Sequence, residues 1–516
     1  MTSDPTAPAP AASKSSGSRD AGILVIGRVA DSVSKSLLIL LIVRVLGKAD
    51  VGVFVTLQLL YETIALILLS GFPAAVMYYF PPVASDVRHG LLLQFRRLTM
   101  VLGGFAGALL AMIALVDHQW PAAFEQFTVT EDGRVSLQYL WVLALLPMFD
   151  LPSRVVSNVL IVEGQPRAAA AFGVIRGLGR SAFTLVPIAA GWGLWSVVGS
   201  MLAWGVLFFV GTEWYLARRV YRNSRPAPTG ERPLSILRFA LPLGLTEMIG
   251  IINQKLDRYL VLFFFSAAYI ADYEFGAWQI PFLVSIPYAV GTAYSPQLRA
   301  HFAAGQPQRA MDVWRESTVK TALIVIPATF VFIVGAEEAI TLLFTEEYAS
   351  AAPIFRWYCI YSLGRVTTFG SVLVAAGQPS SVLKATMLSL VLNLGFSLPL
   401  TFAMGVQGPA AGTALSFIPL AAGYCWMIAR ASKLPMSSTF PVVGVLKVVL
   451  ATAPGVVLAW WLKGQIDGSN GAMLGLFAAV VMSSFAVVGT LTGVVSRQDW
   501  RFVGQWLSLR LLRRSP

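Results

Sequence analysis

Arg176 and Arg180 lie one helical turn apart in an apolar stretch, with no acid between them and nothing local to neutralise them. A planar guanidinium fork matches the oxygens of a phosphate, so two in one apolar stretch point to an anion site. Further bases interrupt other apolar stretches: Arg28, Lys35, Arg154, Lys255, Arg258 and Arg365. A charge at the centre of a membrane helix costs roughly 2.5–3.5 kcal/mol on insertion scales and is tolerated against a partner or a water-filled cavity. These eight bases are therefore expected to bind an anionic headgroup. Arg28 and Arg176 have the alternative of reaching the cytoplasmic surface along their stems. Asp31 between Arg28 and Lys35, and Asp150 one turn before Arg154, suit structural ion pairs. Glu62, Glu247, Asp257 and Glu274 are candidates to carry a coupling proton or sodium ion, with pairing to nearby bases as the plainer alternative.

Bond-making chemistry has little to work with. His89, His118 and His301 all fall in connectors, and Cys359 and Cys425 sit in different apolar stretches without metal-ligand spacing. No glycine-rich nucleotide loop is present. The expectation is a binding site with no catalytic residue, metal or cofactor, in a protein that is not an enzyme.

The elements that hold these residues must be membrane helices. Hydrophobic residues are 56% of the chain and charged residues 12%, against about 25% charged in soluble domains. The mean hydropathy is +0.69. A crossing needs about 20 mostly apolar residues. Fourteen spans are predicted, at 22–43, 51–80, 98–116, 136–162, 168–190, 195–217, 237–265, 270–295, 318–344, 350–376, 382–404, 408–429, 441–462 and 471–496. Lys and Arg should then concentrate in alternate connectors, and they do. The basic set includes Lys14 and Arg19, then Arg88, Arg96 and Arg97, then six arginines between Arg218 and Arg238, then Arg299, Arg309, Arg315 and Lys320. The opposite set is acidic, with Asp117, Glu125, Glu131 and Asp132 in one connector and Glu337, Glu338, Glu346 and Glu347 in another. Both termini are predicted to be cytoplasmic. Most of the formal charge of +12 is this topology signal, and nucleic acid is not an expected partner.

The spans repeat. Gly164-Gln165-Pro166 follows the fourth span and Gly377-Gln378-Pro379 the tenth, 213 residues on; Phe183 and Phe396, and Gly199 and Gly412, share that offset. An even number of spans separates the copies, so the halves are parallel repeats about an axis along the membrane normal. The predicted organisation is a disordered tail at 1–21, a six-helix half at 22–219, a linker at 220–236, a second six-helix half at 237–432, two extra helices at 433–498, and a basic interfacial helix on lipid headgroups at 499–516. The fold class is an all-α polytopic membrane protein of about fourteen helices. Its two bundles form a V-shaped transporter with the substrate between the halves.

Several segments resemble the polysaccharide transporter family, the O-antigen and exopolysaccharide flippases of the multidrug/oligosaccharidyl-lipid/polysaccharide exporter superfamily. They are Val45-Leu46-Gly47-Lys48-Ala49-Asp50-Val51-Gly52-Val53-Phe54, Leu241-Pro242 with Leu256-Asp257-Arg258, Leu342-Leu343-Phe344-Thr345-Glu346-Glu347-Tyr348, Ala376-Gly377-Gln378-Pro379 and Gly405-Val406-Gln407-Gly408-Pro409-Ala410-Ala411-Gly412. The resemblance spans about residues 22–430. It implies a flippase that moves undecaprenyl-pyrophosphate-linked oligosaccharide units across the bacterial inner membrane for lipopolysaccharide or exopolysaccharide biosynthesis. It further implies alternating access through a cationic cavity, antiport coupled to a proton or sodium ion, and a polymerase and export machinery downstream. Many members have twelve helices, and the two additional ones here keep open a lipid II flippase of the same superfamily. A cation-coupled multidrug exporter shares the architecture, but its cavity should favour acids.

Overall fold

The computed structural model describes residues 38–120, 129–130, 133–134 and 137–496. The predicted tail, most of the first span with Arg28 and Lys35, and the interfacial helix lie outside them. Within them the protein is almost entirely helical and parts into two compact units between Ile251 and Ile252.

The first unit begins with α1 (Lys48–Leu69) and α2 (Phe72–Tyr79). Gly71 divides them in a left-handed conformation, φ +82°. A Cβ there would lie 2.0 Å from the Ala240 carbonyl oxygen, so only glycine permits this approach. Next come α3 (Ser85–Gln119), a two-residue ribbon pairing β1 (Val129–Thr130) with β2 (Gly133–Arg134), and α4 (Leu140–Leu143). A bend of 55° separates the Leu137–Leu143 helical turn from α5 (Leu146–Val162). Then follow α6 (Pro166–Ala189) and α7 (Gly193–Tyr215). Beyond them the chain lies along the start of α3: the Ala227 N–H donates to the Asp86 carbonyl at 3.0 Å and His89 stacks on Tyr221 at 4.8 Å. Tyr221 donates to Glu163, which also meets Arg88 at 3.2 Å. Burial, and then the Glu163 carboxylate, hold the Tyr221 phenol well above its usual range. The boundary between units falls inside α8 (Pro233–Phe264).

The second unit adds α9 (Ala267–Gly276), α10 (Pro281–Ala303), α11 (Pro307–Val334), α12 (Ala336–Phe344), α13 (Ala352–Gly364) and α14 (Phe369–Ala375). The antiparallel pair α15 (Pro379–Met404) and α16 (Gly408–Ser432) follows, then α17 (Val442–Lys463) and α18 (Asn470–Leu491). The α15–α16 pair is tight because Gly408 and Gly412 face backbone: a Cβ on Gly412 would come within 2.3 Å of the Ser397 Cα. Small residues one turn apart allow this approach in membrane helices. Lys463, at the end of α17, reaches Glu338 on α12 at 2.7 Å.

Among the described residues nine helices are long and apolar enough to cross a membrane, or ten with the bent pair. The protein is a multi-pass membrane protein. Every predicted span from the second onward falls on a helix or a broken pair of helices. The measure falls short of fourteen for physical reasons. Pro379–Ser432 counts once although it turns back at Gly405–Gln407, and the predicted spans at 270–295 and 350–376 are each broken into shorter helices.

Candidate functional site

Three helices of the first unit each contribute residues one turn apart, so each presents them on one face. α1 supplies Gln58, Tyr61 and Glu62, α5 supplies Asp150 and Arg154, and α6 supplies Arg176 and Arg180. Asp150 accepts from Arg154 Nε at 2.7 Å and from Arg176 Nη2 at 2.8 Å. Glu62 accepts from Arg180 Nη1 at 2.7 Å and from Arg154 Nη2 at 3.2 Å. Tyr61 donates to Asp150, and Arg180 donates to Gln58. The Arg154 guanidinium also lies 6.0 Å from the centre of the Tyr61 ring.

Packing supplies the counterions that Arg176 and Arg180 lack locally. Their counterions are on other helices, 26 and 118 residues away in sequence. The Asp150–Arg154 pair is present as expected. Three guanidiniums face two carboxylates, so one positive charge remains in surplus. All five side chains are 10–28% exposed. Tyr61, Asp150, Arg176 and Arg180 line a cleft closed on another side by Trp204 and Phe208 of α7. Among the described residues Arg176 has one acceptor, Asp150. A guanidinium has five N–H donors, which leaves Arg176 donors for a ligand in the cleft. The arrangement can bind a compact anion bidentately.

The second unit carries a different cluster. Asp257 is 2% exposed. One of its oxygens accepts both the Tyr273 hydroxyl, at 3.2 Å, and the Tyr358 hydroxyl; the other accepts the Arg258 N–H at 2.8 Å. Arg258 bridges Asp257, at 3.2 Å, and Glu274. Here two acids face one base, and the surplus is negative. Arg365 does not join it: it donates to Gln279 at 3.2 Å and lies over the Tyr361 ring at 5.2 Å. Lys255 has no ion-pair partner among the described residues. Glu247, in the first unit, is exposed and accepts the Gly71 N–H at 3.1 Å.

Sequence reasoning missed the neutral partners Gln58, Tyr61, Trp204, Tyr273 and Tyr358. For the first two a signal existed, since Gln58, Tyr61 and Glu62 are spaced three and four residues on one face of an apolar helix.

A family model described as lipid II flippase MurJ matches residues 170–481. The probable low-salt glycan biosynthesis flippase Agl15 of Haloferax volcanii is 23% identical over 382 residues, which cover 72% of this chain and 75% of that protein. The structure of lipid II flippase MurJ in an inward closed conformation superposes with a TM-score of 0.68 at 13% identity, covering 91% of this chain and 98% of that one. An inward-facing multidrug resistance MATE family transporter of the MOP superfamily gives a TM-score of 0.61 at 16% identity, covering 80% and 95%. The likeness to the solved structures establishes a transporter fold of the MurJ and MATE type.

Proposed function

The chain belongs to the lipid II flippase MurJ family, and from that premise we propose that it translocates undecaprenyl-pyrophosphate-linked oligosaccharide units across a bacterial inner membrane for polysaccharide export. Flippase-type transport, not catalysis, is the work of this family. One observation carries the finer reading: Arg154, Arg176 and Arg180 converge at a cleft of the first unit with one positive charge in surplus. That polarity suits a diphosphate and opposes a cationic drug, so it weighs against a multidrug exporter. The Agl15 likeness supports a glycan-linked lipid. In this reading the cleft works by alternating access, both termini are cytoplasmic, a proton or sodium ion is coupled, and a polymerase with its export machinery receives the product. Lys255, Arg258 and Arg365 are proposed to bind the anionic headgroup as well, as are Arg28 and Lys35, which lie outside the described residues.

The matched family model favours a second reading, lipid II as the substrate. The two readings share the diphosphate and differ in the sugar. Restored growth of a host depleted of its lipid II flippase would establish the second reading; restored polymer export in a host lacking its repeat-unit flippase would establish the first.

The site itself is tested by replacing Arg176 and Arg180 together with alanine. Each charged contact is worth roughly 1.5–3 kcal/mol, so transport should fall at least about tenfold at equal protein level. Undiminished transport at normal expression would sink the assignment.

A further inference from the structure

The acids in the arginine cleft pose a problem of charge that the basic residues alone do not. Glu62 and Asp150 neutralise most of the positive charge in the empty site. A diphosphate diester brings two negative charges. Added to three guanidiniums and two carboxylates, it turns the surplus of one positive charge into a surplus of one negative charge, among side chains that are at most 28% exposed. An uncompensated charge in such surroundings is costly and is relieved by a change of protonation.

The geometry singles out the group that changes. Arg176 and Arg180 line the cleft, so a ligand there draws their donors first. Asp150 would keep its shortest arginine contact, Arg154 Nε at 2.7 Å, and the Tyr61 hydroxyl. Glu62 would lose its Arg180 contact at 2.7 Å and keep only Arg154 at 3.2 Å. Among the described residues no other charged group replaces it. The cleft-facing residues of α7 are Met201, Trp204, Gly205 and Phe208, which do not titrate there. On α3, Arg88 is engaged with Glu163, Arg96 with Glu213, and Asp117 accepts the Leu137 N–H. Tyr61 and Gln58 are the remaining polar neighbours on α1, and Ser153 on α5.

We propose that Glu62 takes up one proton when a diphosphate occupies Arg176 and Arg180, so that loading of the cleft and protonation are a single event. This rests on the diphosphate reading above and deepens it by naming the group whose protonation is linked to binding. Glu62 is the exchangeable counterion of the site, and Asp150 is the fixed one.

The test uses the full-length protein in detergent and a water-soluble short-chain prenyl-diphospho-sugar. Calorimetry in two buffers of different ionisation enthalpy gives the protons bound per ligand. Wild-type protein should take up about 1 proton at pH 7, and its affinity should fall about tenfold per pH unit around that pH. Glu62→Gln, which removes the group that titrates, should bind with little uptake and a flat pH profile. Wild-type binding with no uptake, or with equal affinity from pH 6 to pH 9, overturns the proposal without any variant. Unchanged uptake in Glu62→Gln overturns the choice of carrier. If the intact wild type does not bind the probe at all, the diphosphate site itself is wrong, and that failure is distinct from binding without a proton.

Discussion

One oxygen of Asp257 accepts two phenol hydroxyls, from Tyr273 and Tyr358, inside a helix-packed core. Truncating this carboxylate strands both hydroxyls and leaves Arg258 with Glu274 as its one carboxylate among the described residues. Breaking a buried ion pair from one side costs about 3–5 kcal/mol. Asp257→Ala should therefore lower stability by about 3 kcal/mol or more, while Asp257→Asn, which keeps an acceptor, should lose roughly 1 kcal/mol. Thermal unfolding in detergent separates the two; equal losses would mean that the acceptor geometry is unimportant there. The residue scale also marks where sequence reading stops. Asp150–Arg154 is legible because its spacing of four is a property of one helix. Glu62–Arg180 and Asp150–Arg176 are invisible because packing, not spacing, brings α1, α5 and α6 together. Tyr273 and Tyr358 leave no signal because an apolar span tolerates a tyrosine without needing a charged partner.

The helices themselves were largely legible, since a run of apolar residues long enough to cross lipid has few other fates. Their breaks were less so. Gly-Gln-Pro read as a marker of the internal repeat, yet the same three residues occur a third time, at Gly305-Gln306-Pro307. In all three copies glycine has φ between +68° and +74°, and the glutamine N–H returns to a carbonyl five residues back at 2.8–2.9 Å. Proline then opens the next helix, where its missing N–H costs nothing. The motif is thus a local device that stops one helix and starts another, and the proposed repeat leans on the order of elements. Glycine acts differently in the α15–α16 pair. Gly412 abuts the Ser397 backbone, while Gly395 on α15 has open space. Gly412→Leu should push the two helices apart at a cost of at least about 1–3 kcal/mol. Gly395→Leu should be neutral within about 0.5 kcal/mol. Folded yield and unfolding temperature of the two variants compare them directly; a tolerated Gly412→Leu would show that the pair does not depend on this contact.

For the whole chain, orientation follows from charge because each connector must end on one side of the membrane or the other. Basic residues cluster from Arg218 to Arg238, and acids from Glu337 to Glu347. The positive-inside rule predicts that the first connector is cytoplasmic and the second external. The two native cysteines allow a clean test, because Cys359 is 3% and Cys425 9% exposed and should contribute little background. Single cysteines are placed at the exposed positions Arg225 and Glu347. In intact bacterial cells a membrane-impermeant maleimide should label Glu347→Cys at once and Arg225→Cys only after permeabilisation. The expected labelling ratio between the two sites is at least about tenfold, since a fixed charge does not cross the hydrocarbon core readily. The reverse pattern would invert the protein, place the basic surface outside, and remove the cytoplasmic loading side that the diphosphate reading requires. Equal labelling in intact cells would mean an odd number of misread crossings between Arg225 and Glu347. The fault would then lie in the segment where the helices are broken, α9 with α10, since α8 and α11 are each long enough and apolar enough to cross without a break.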